Sequence, residues 1–177
     1  GKKIFLKKLR SGDVLVGIAA SGVTPFVAGA LEAAGARGVK SILISCHASS
    51  PLKKLADCLI SVNTGPEVIA GSTRLKAGTA TKLVLNSLTV ASMIRLGKVY
   101  KNWMVDLRPK SKKLRARALG LVKNLARLDA RSADRILRAA RGQAKLAILM
   151  ARTGLNYSRA RKRLQSAAGF LENALAS

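Results

Sequence analysis

Three short apolar runs, residues 15–20, 41–46 and 58–62, punctuate the first third of the chain. Each ends in a turn-forming cluster: Ala20-Ser-Gly-Val-Thr-Pro25, His47-Ala-Ser-Ser-Pro51 and Asn63-Thr-Gly-Pro66. Continuous apolar runs of this length, bounded in this way, predict buried strands. Between the first two lies helical spacing: Phe26, Val27, Ala30, Leu31 and Ala34 share a face. Thr24 stands at the cap, Pro25 in the first turn, and Gly35 and Gly38 stop the helix near Ala36. Ser50 and Pro51 open a shorter helix that runs to about Ala56. Strands separated by helices of this length predict a parallel sheet with crossover helices.

From about Lys76 onward Leu83, Leu85, Leu88, Val90, Met93 and Ile94 recur at helical spacing. Beyond Gly97 the pattern stays helical, with helices expected at residues 114–127, 132–140, 143–152 and 158–167. The 132–164 part reads as a three-helix bundle with short connections. Residues 108–113 form a basic hinge in which Pro109 breaks structure and Ser111 caps the next helix. The fold class expected is therefore α/β: a partial parallel sheet with flanking helices (residues 1–107), then a small basic C-terminal helical bundle (residues 108–177).

Ligands of parallel sheets sit at the carboxyl ends of the strands. Ser21, Gly22, Thr24, the turn at 46–50 and the loop at 65–79 would share that edge. The loop concentrates Gly71, Ser72, Thr73, Arg74, Lys76, Gly78 and Thr79 just where a helix begins. Free backbone N–H groups, the helix dipole and two cations suit a phosphate or a carboxylate. A polar loop between a strand and a buried helix explains the same residues, and on chemistry alone both readings stand.

Charge changes the picture. The 177 residues hold 33 Lys and Arg against 8 Asp and Glu, a net +25, while 49% are hydrophobic. The hydrophobic content excludes a disordered chain. The charge exceeds what a small-metabolite enzyme needs and asks for a polyanion, with nucleic acid fitting better than a membrane. Basic residues recur on polar helix faces without opposite partners. Arg108, Lys110, Lys112, Lys113, Arg131, Arg135, Arg138, Arg141, Arg159, Arg161, Lys162 and Arg163 are the RNA-binding candidates. No stretch reaches the length of a membrane span, and the basic N-terminus, residues 1–10, reads as a solvated arm. Cys46 and Cys58, with one histidine, match no zinc spacing and read as buried thiols in a reducing compartment. His47 has no visible partner. Tyr100 and Trp103 beside Lys98 and Lys101 could stack on bases, with packing the safer explanation. No Walker loop, dinucleotide fingerprint or nucleophile elbow is present, and no cofactor or metal is expected.

The loop at 65–97, GPEVIAGSTRLKAGTATKLVLNSLTVASMIRLG, closely resembles the signature of the N-acetylmuramic acid 6-phosphate etherases, in the SIS (sugar isomerase) superfamily with the glucokinase regulatory proteins. Val16-Gly-Ile-Ala-Ala-Ser-Gly-Val-Thr-Pro25, Ile44-Ser-Cys46, Met93-Ile-Arg-Leu-Gly-Lys-Val-Tyr100, Asn102-Trp-Met-Val-Asp106 and Lys145-Leu-Ala-Ile-Leu-Met150 match in family order. The resemblance implies a partial SIS-type sheet with Ser21, Gly22, Thr24, Glu67, Ser72, Thr73, Arg74 and Lys76 on the phosphosugar. It also implies elimination–hydration of a lactyl ether by paired glutamates, whose family positions lie upstream of Val16. Only fifteen residues precede Val16 here and none is Glu. Val23 replaces the family's arginine, Pro109-Lys-Ser111 its Ala-Thr-Asn, and Ala167-Ala-Gly169 its His-Gly-Gly. No acid/base pair is visible, so no catalytic residue is assigned. Glu67, alone in the ligand-side loop, reads as an acceptor for loop amides or a sugar hydroxyl.

Two readings emerge. The spread of charge favours a catalytically lapsed, etherase-like SIS domain serving as a basic RNA-associated structural protein. Its partners would be rRNA and neighbouring subunits, with a mitochondrial ribosome as host. The alternative is an etherase or phosphosugar-binding regulator of the bacterial cytoplasm, completed by a missing N-terminal half and homodimeric. Neither reading involves a membrane.

Overall fold

Short apolar runs and apolar positions at period 3.6 mark most of the elements that the chain forms. The computed structural model describes residues 1–107 and 109–176, which fold as two compact units, Gly1–Leu88 and Thr89–Ser177. Arg108 lies outside the described residues.

The first unit holds α1 (Lys2–Lys8), β1 (Val14–Ile18), α2 (Pro25–Ala36), β2 (Lys40–Ser45), a 3-10 helix (Pro51–Leu55), β3 (Cys58–Ser61) and the start of α3 (Lys76–Arg95). The strands pair in the order β1-β2-β3, all parallel, with Leu15 opposite Ser41 and Ile42 opposite Cys58. Val27, Ala30, Leu31 and Ala34 of α2 bury against Leu15, Leu43 and Leu52. Gly17 lets the helix come close: a Cβ there would stand 2.8 Å from Val27 Cγ1. This is the partial α/β sheet expected from the pattern.

Several expectations are corrected in this unit. β1 is covered on one face only, since Val14, Val16 and Ile18 are 58%, 41% and 42% exposed. β1 is also an edge strand, so a run that reads as fully buried is half open. The N-terminal arm is not free in solvent. It forms α1, whose Phe5 meets Phe26 edge-on at 5.7 Å and whose Lys2 pairs with Glu32 at 3.1 Å. Of the two thiols, Cys46 is half-buried and Cys58 exposed, so neither is a fully buried cysteine. α3 begins where expected, but only Ala77 is buried, and Leu83, Val90, Met93 and Ile94 lie exposed along it.

The second unit adds a hairpin of β4 (Val99–Tyr100) and β5 (Trp103–Met104), then α4 (Lys112–Ala126), α5 (Ala130–Ala139), α6 (Ala144–Thr153), α7 (Tyr157–Ser166) and α8 (Leu171–Ala176). Its core gathers Val105, Leu121, Val122, Leu137, Ile148, Leu149 and Leu171 around α6, every residue of which is buried from Ala144 to Met150. Three caps start helices as the sequence dictates. Ser111 Oγ accepts from Leu114 N (3.3 Å), an Asp129 carboxylate oxygen from Ser132 N (3.0 Å), and Asn156 Oδ1 from Arg159 N (3.0 Å). The bundle is larger than three helices, because α4 and α8 share its core, and the hairpin and α8 are additions to the expected elements. Tyr100 is buried in that core and Trp103 stays partly exposed, which settles packing for the first. Among the described residues no helix is long and apolar enough to cross a membrane.

Candidate functional site

At the carboxyl edge of the sheet the ends of β1 and β2 are stitched together. Cys46 N donates to Ala20 O (3.1 Å), and Gly22 N closes a turn on Ala19 O (2.8 Å). Ser50 Oγ donates to Gly22 O at 2.7 Å and accepts from Leu52 N at 3.2 Å, so one hydroxyl caps the 3-10 helix and ties it to the first turn. Gly22 has φ +75°, and a Cβ there would fall 2.6 Å from Ser50 Cβ and 3.1 Å from Ser45 Oγ. Only glycine fits that approach. Ser45 Oγ in turn accepts from His47 N at 3.0 Å. Ser21 is exposed beside this cluster and Thr24 half-buried. Thr24 holds the N-cap position of α2 but makes no side-chain cap bond there, contrary to its expected role.

The loop before α3 solves its own electrostatics. Glu67 Oε2 accepts from Lys76 N (2.9 Å) and Oε1 from Ala77 N (3.0 Å). Its carboxylate therefore occupies the free amides at the positive end of the helix. Those amide bonds, Ala77's first, hold Glu67 below the usual carboxylate range. Ser72 Oγ accepts from Arg74 N at 3.4 Å in a local turn, and Ser72 is half-buried. Thr73, Arg74 and Lys76 are exposed. Cys46 Sγ, 3.7 Å from Ala77 O, joins the end of β2 to the start of α3, a link no local pattern announces. Beside the loop an open groove of about 610 Å³ is lined by Arg74, Leu75, Lys76, Thr79, Ala80 and Leu83. A lining that combines two cations and a hydroxyl with two leucines suits an anion attached to a partly apolar body. Glu67 is the one carboxylate in this loop, and it is committed as a cap.

Two further carboxylates have structural tasks. Asp57 accepts from Ser41 N (2.8 Å), Ser41 Oγ (2.9 Å) and Lys40 Nζ (2.9 Å), tying β2 to the start of β3. Those bonds, Lys40's first, lower its pKa from 3.8 to about 2. Asp134 holds both Arg115 (3.1 Å) and Arg138 (2.6 Å). Among the described residues no cluster of three His, Cys, Asp or Glu could hold a metal ion.

Of the RNA-binding candidates, Lys110, Lys112, Lys113, Arg131, Arg135, Arg159, Arg161 and Lys162 are exposed. Three are engaged within the chain, against the expectation of unpaired cations. Arg138 pairs with Asp134, Arg141 lies 4.6 Å over the Tyr157 ring, and half-buried Arg163 donates to Ala174 O at 2.6 Å.

The SIS domain family matches residues 4–91. The chain is 52% identical to N-acetylmuramic acid 6-phosphate etherase 2 of Vibrio cholerae serotype O1, over 93% of this chain and 54% of that protein. It is 49% identical to N-acetylmuramic acid 6-phosphate etherase of Rhizobium rhizogenes, over 96% and 55%, and 45% identical to that of Geobacillus thermodenitrificans, over 94% and 57%. The chain thus spans about half the length of the curated relatives it matches. Residues 4–91, which hold the partial parallel sheet and the loop before α3, thus belong to the SIS domain family, in a chain that is similar over nearly its whole length to about half the length of proteins named N-acetylmuramic acid 6-phosphate etherase.

Proposed function

We propose that this chain is the C-terminal, sugar-facing half of a protein of the N-acetylmuramic acid 6-phosphate etherase type, working with an N-terminal half of the same family. One observation supports this above all. Identity of 45–52% runs over at least 93% of this chain but only 54–57% of each relative. The open edge and uncovered face of β1 agree with a second half seated there.

In this reading the sugar phosphate lies over the carboxyl edge of the sheet. Arg74 and Lys76 face its anion, and Ser21, Thr24, Ser72 and Thr73 supply hydroxyls. The tight Gly22 turn keeps the first of these at the strand end. The acid and base for ether elimination come from the other half, because Glu67 is bound to the α3 amides and has no second carboxylate beside it in the loop. Homodimerisation of the completed protein belongs to the same reading.

The test mixes this chain with the N-terminal half of the Vibrio cholerae relative and tracks lactate release from N-acetylmuramic acid 6-phosphate. Release is expected from the mixture and from neither half alone, and Arg74→Ala should raise KM. A mixture that forms a complex yet neither binds the substrate nor cleaves it would overturn the reading.

The RNA-associated reading stands second. It rests on the exposed cations of α5 and α7, notably Arg131, Arg135, Arg159 and Lys162. The relatives from Vibrio, Rhizobium and Geobacillus carry the etherase name, which favours the first reading. Tight binding to structured RNA that weakens steeply with salt, in a mixture inert toward the sugar phosphate, would reverse that order.

A further inference from the structure

The unit Thr89–Ser177 contains a concavity of about 370 Å³ to which neither the SIS domain match nor the ligand-side loop extends. Its walls come from three places: the strand exit at 105–107, the first turn of α6 and one face of α7. Along α7, Tyr157, Arg161, Leu164 and Gln165 are spaced i, i+4, i+7 and i+8, so they line one side together.

Lys145 is buried, at 8% exposure, and is already committed. Its ammonium donates to Gly97 O (2.8 Å) and Gly169 O (3.1 Å) and lies 3.7 Å from Asp106. Burial lowers its pKa from the ordinary 10.5, and Asp106 opposes that. Asp106 also lies 3.8 Å from Lys98, so this lysine–aspartate cluster keeps a net positive charge, and Arg161 adds an exposed cation to the cavity wall.

The polar groups around Arg161 point to a hydroxylated ligand. Gln143 Nε2 donates to Tyr157 Oη at 3.3 Å, and the Arg141 guanidinium lies 4.6 Å over the phenol ring. The phenolic hydrogen and the Gln143 carbonyl are then left for a guest. Gln143 is the N-cap residue of α6 and makes no side-chain cap bond, so the first-turn amides retain their preference for an anion. Asp106, partly exposed between Lys98 and Lys145, has carboxylate lone pairs that can accept hydrogen bonds from hydroxyls.

We propose that this cavity binds a small hydroxylated carboxylate, its carboxylate against Arg161 and its hydroxyls between Asp106, Gln143 and Tyr157. The surplus of positive charge from Lys98, Lys145 and Arg161 over Asp106 favours an anion, and the volume falls in the range of small-molecule sites. The proposal stands apart from the etherase reading, because no residue of the sugar-facing loop takes part.

The test titrates the full 177-residue chain with D-gluconate, monitoring the side-chain amides of Gln143 and Gln165 and the Arg161 Nε–H by NMR. Saturable shifts confined to these groups are expected, with the neutral polyol glucitol binding at least roughly tenfold more weakly. Arg161→Gln should weaken gluconate about tenfold or more, and Tyr157→Phe about threefold to tenfold. Lys123→Gln, which removes an exposed charge of α4, should leave it unchanged. Arg161 is exposed, so its replacement is not a folding variant. Absence of saturable shifts, equal binding of glucitol, or equal weakening by Lys123→Gln would each overturn the proposal.

Discussion

Gly22 carries two constraints at once, a left-handed backbone and a hydroxyl neighbour within van der Waals reach. Gly22→Ala should therefore cost at least about 1–2 kcal/mol for the backbone alone, read as a lower midpoint in urea unfolding. Ser50 is the other half of that contact, and the bond spans 28 residues of sequence. That is why the turn motif was legible at each end while the joint between the ends was not. Glu67 shows the opposite case. A lone loop carboxylate near a helix start has few uses, and its capture by amides was legible. Glu67→Gln should speed hydrogen exchange at Lys76 and Ala77, measured by mass spectrometry or NMR. Asp57 offers a pH signature. Its folded pKa lies below its unfolded value, so its stabilisation is complete above the ordinary 3.8 and is lost as pH falls through about 2. Asp57→Asn should lower stability at neutral pH and flatten the acid limb over that window, monitored by circular dichroism.

The strands were legible as short apolar runs closed by turn clusters, and the four long C-terminal helices because their apolar positions keep one period over several turns. The hairpin Val99–Met104 was not, since strands of two residues give no period to read. α8, six residues long, escapes for the same reason. The exposed side of β1 was illegible for a different cause: Val14, Val16 and Ile18 look the same to a pattern whether or not anything covers them. Where an element is enclosed, ordinary packing costs apply. Leu43 has no exposure, and Leu43→Ala should cost about 2–5 kcal/mol, measured by denaturant titration. The candidate site was legible as a set of loops at one sheet edge. The self-capping by Glu67 and the Cys46–Ala77 link needed coordinates, because both depend on where α3 starts relative to β2.

At the scale of the molecule, two surfaces stand out: a cationic exterior of net +25 and uncovered aliphatic side chains on β1 and α3. The first keeps copies apart at low salt, and the second draws them together when salt screens the charge. The chain alone should self-associate as ionic strength rises, and Val16→Lys with Ile18→Lys should suppress this in sedimentation runs. A further consequence belongs to β1 itself. Its outer row of peptide groups can accept another strand laterally, without threading a loop or opening the existing ladder. Such a polypeptide can work as one piece of a two-piece protein, with mating encoded in the main chain more than in side chains. Under the proposed function, exchanging the first piece among relatives would vary the proton-transfer machinery while the proposed sugar-facing piece stayed fixed.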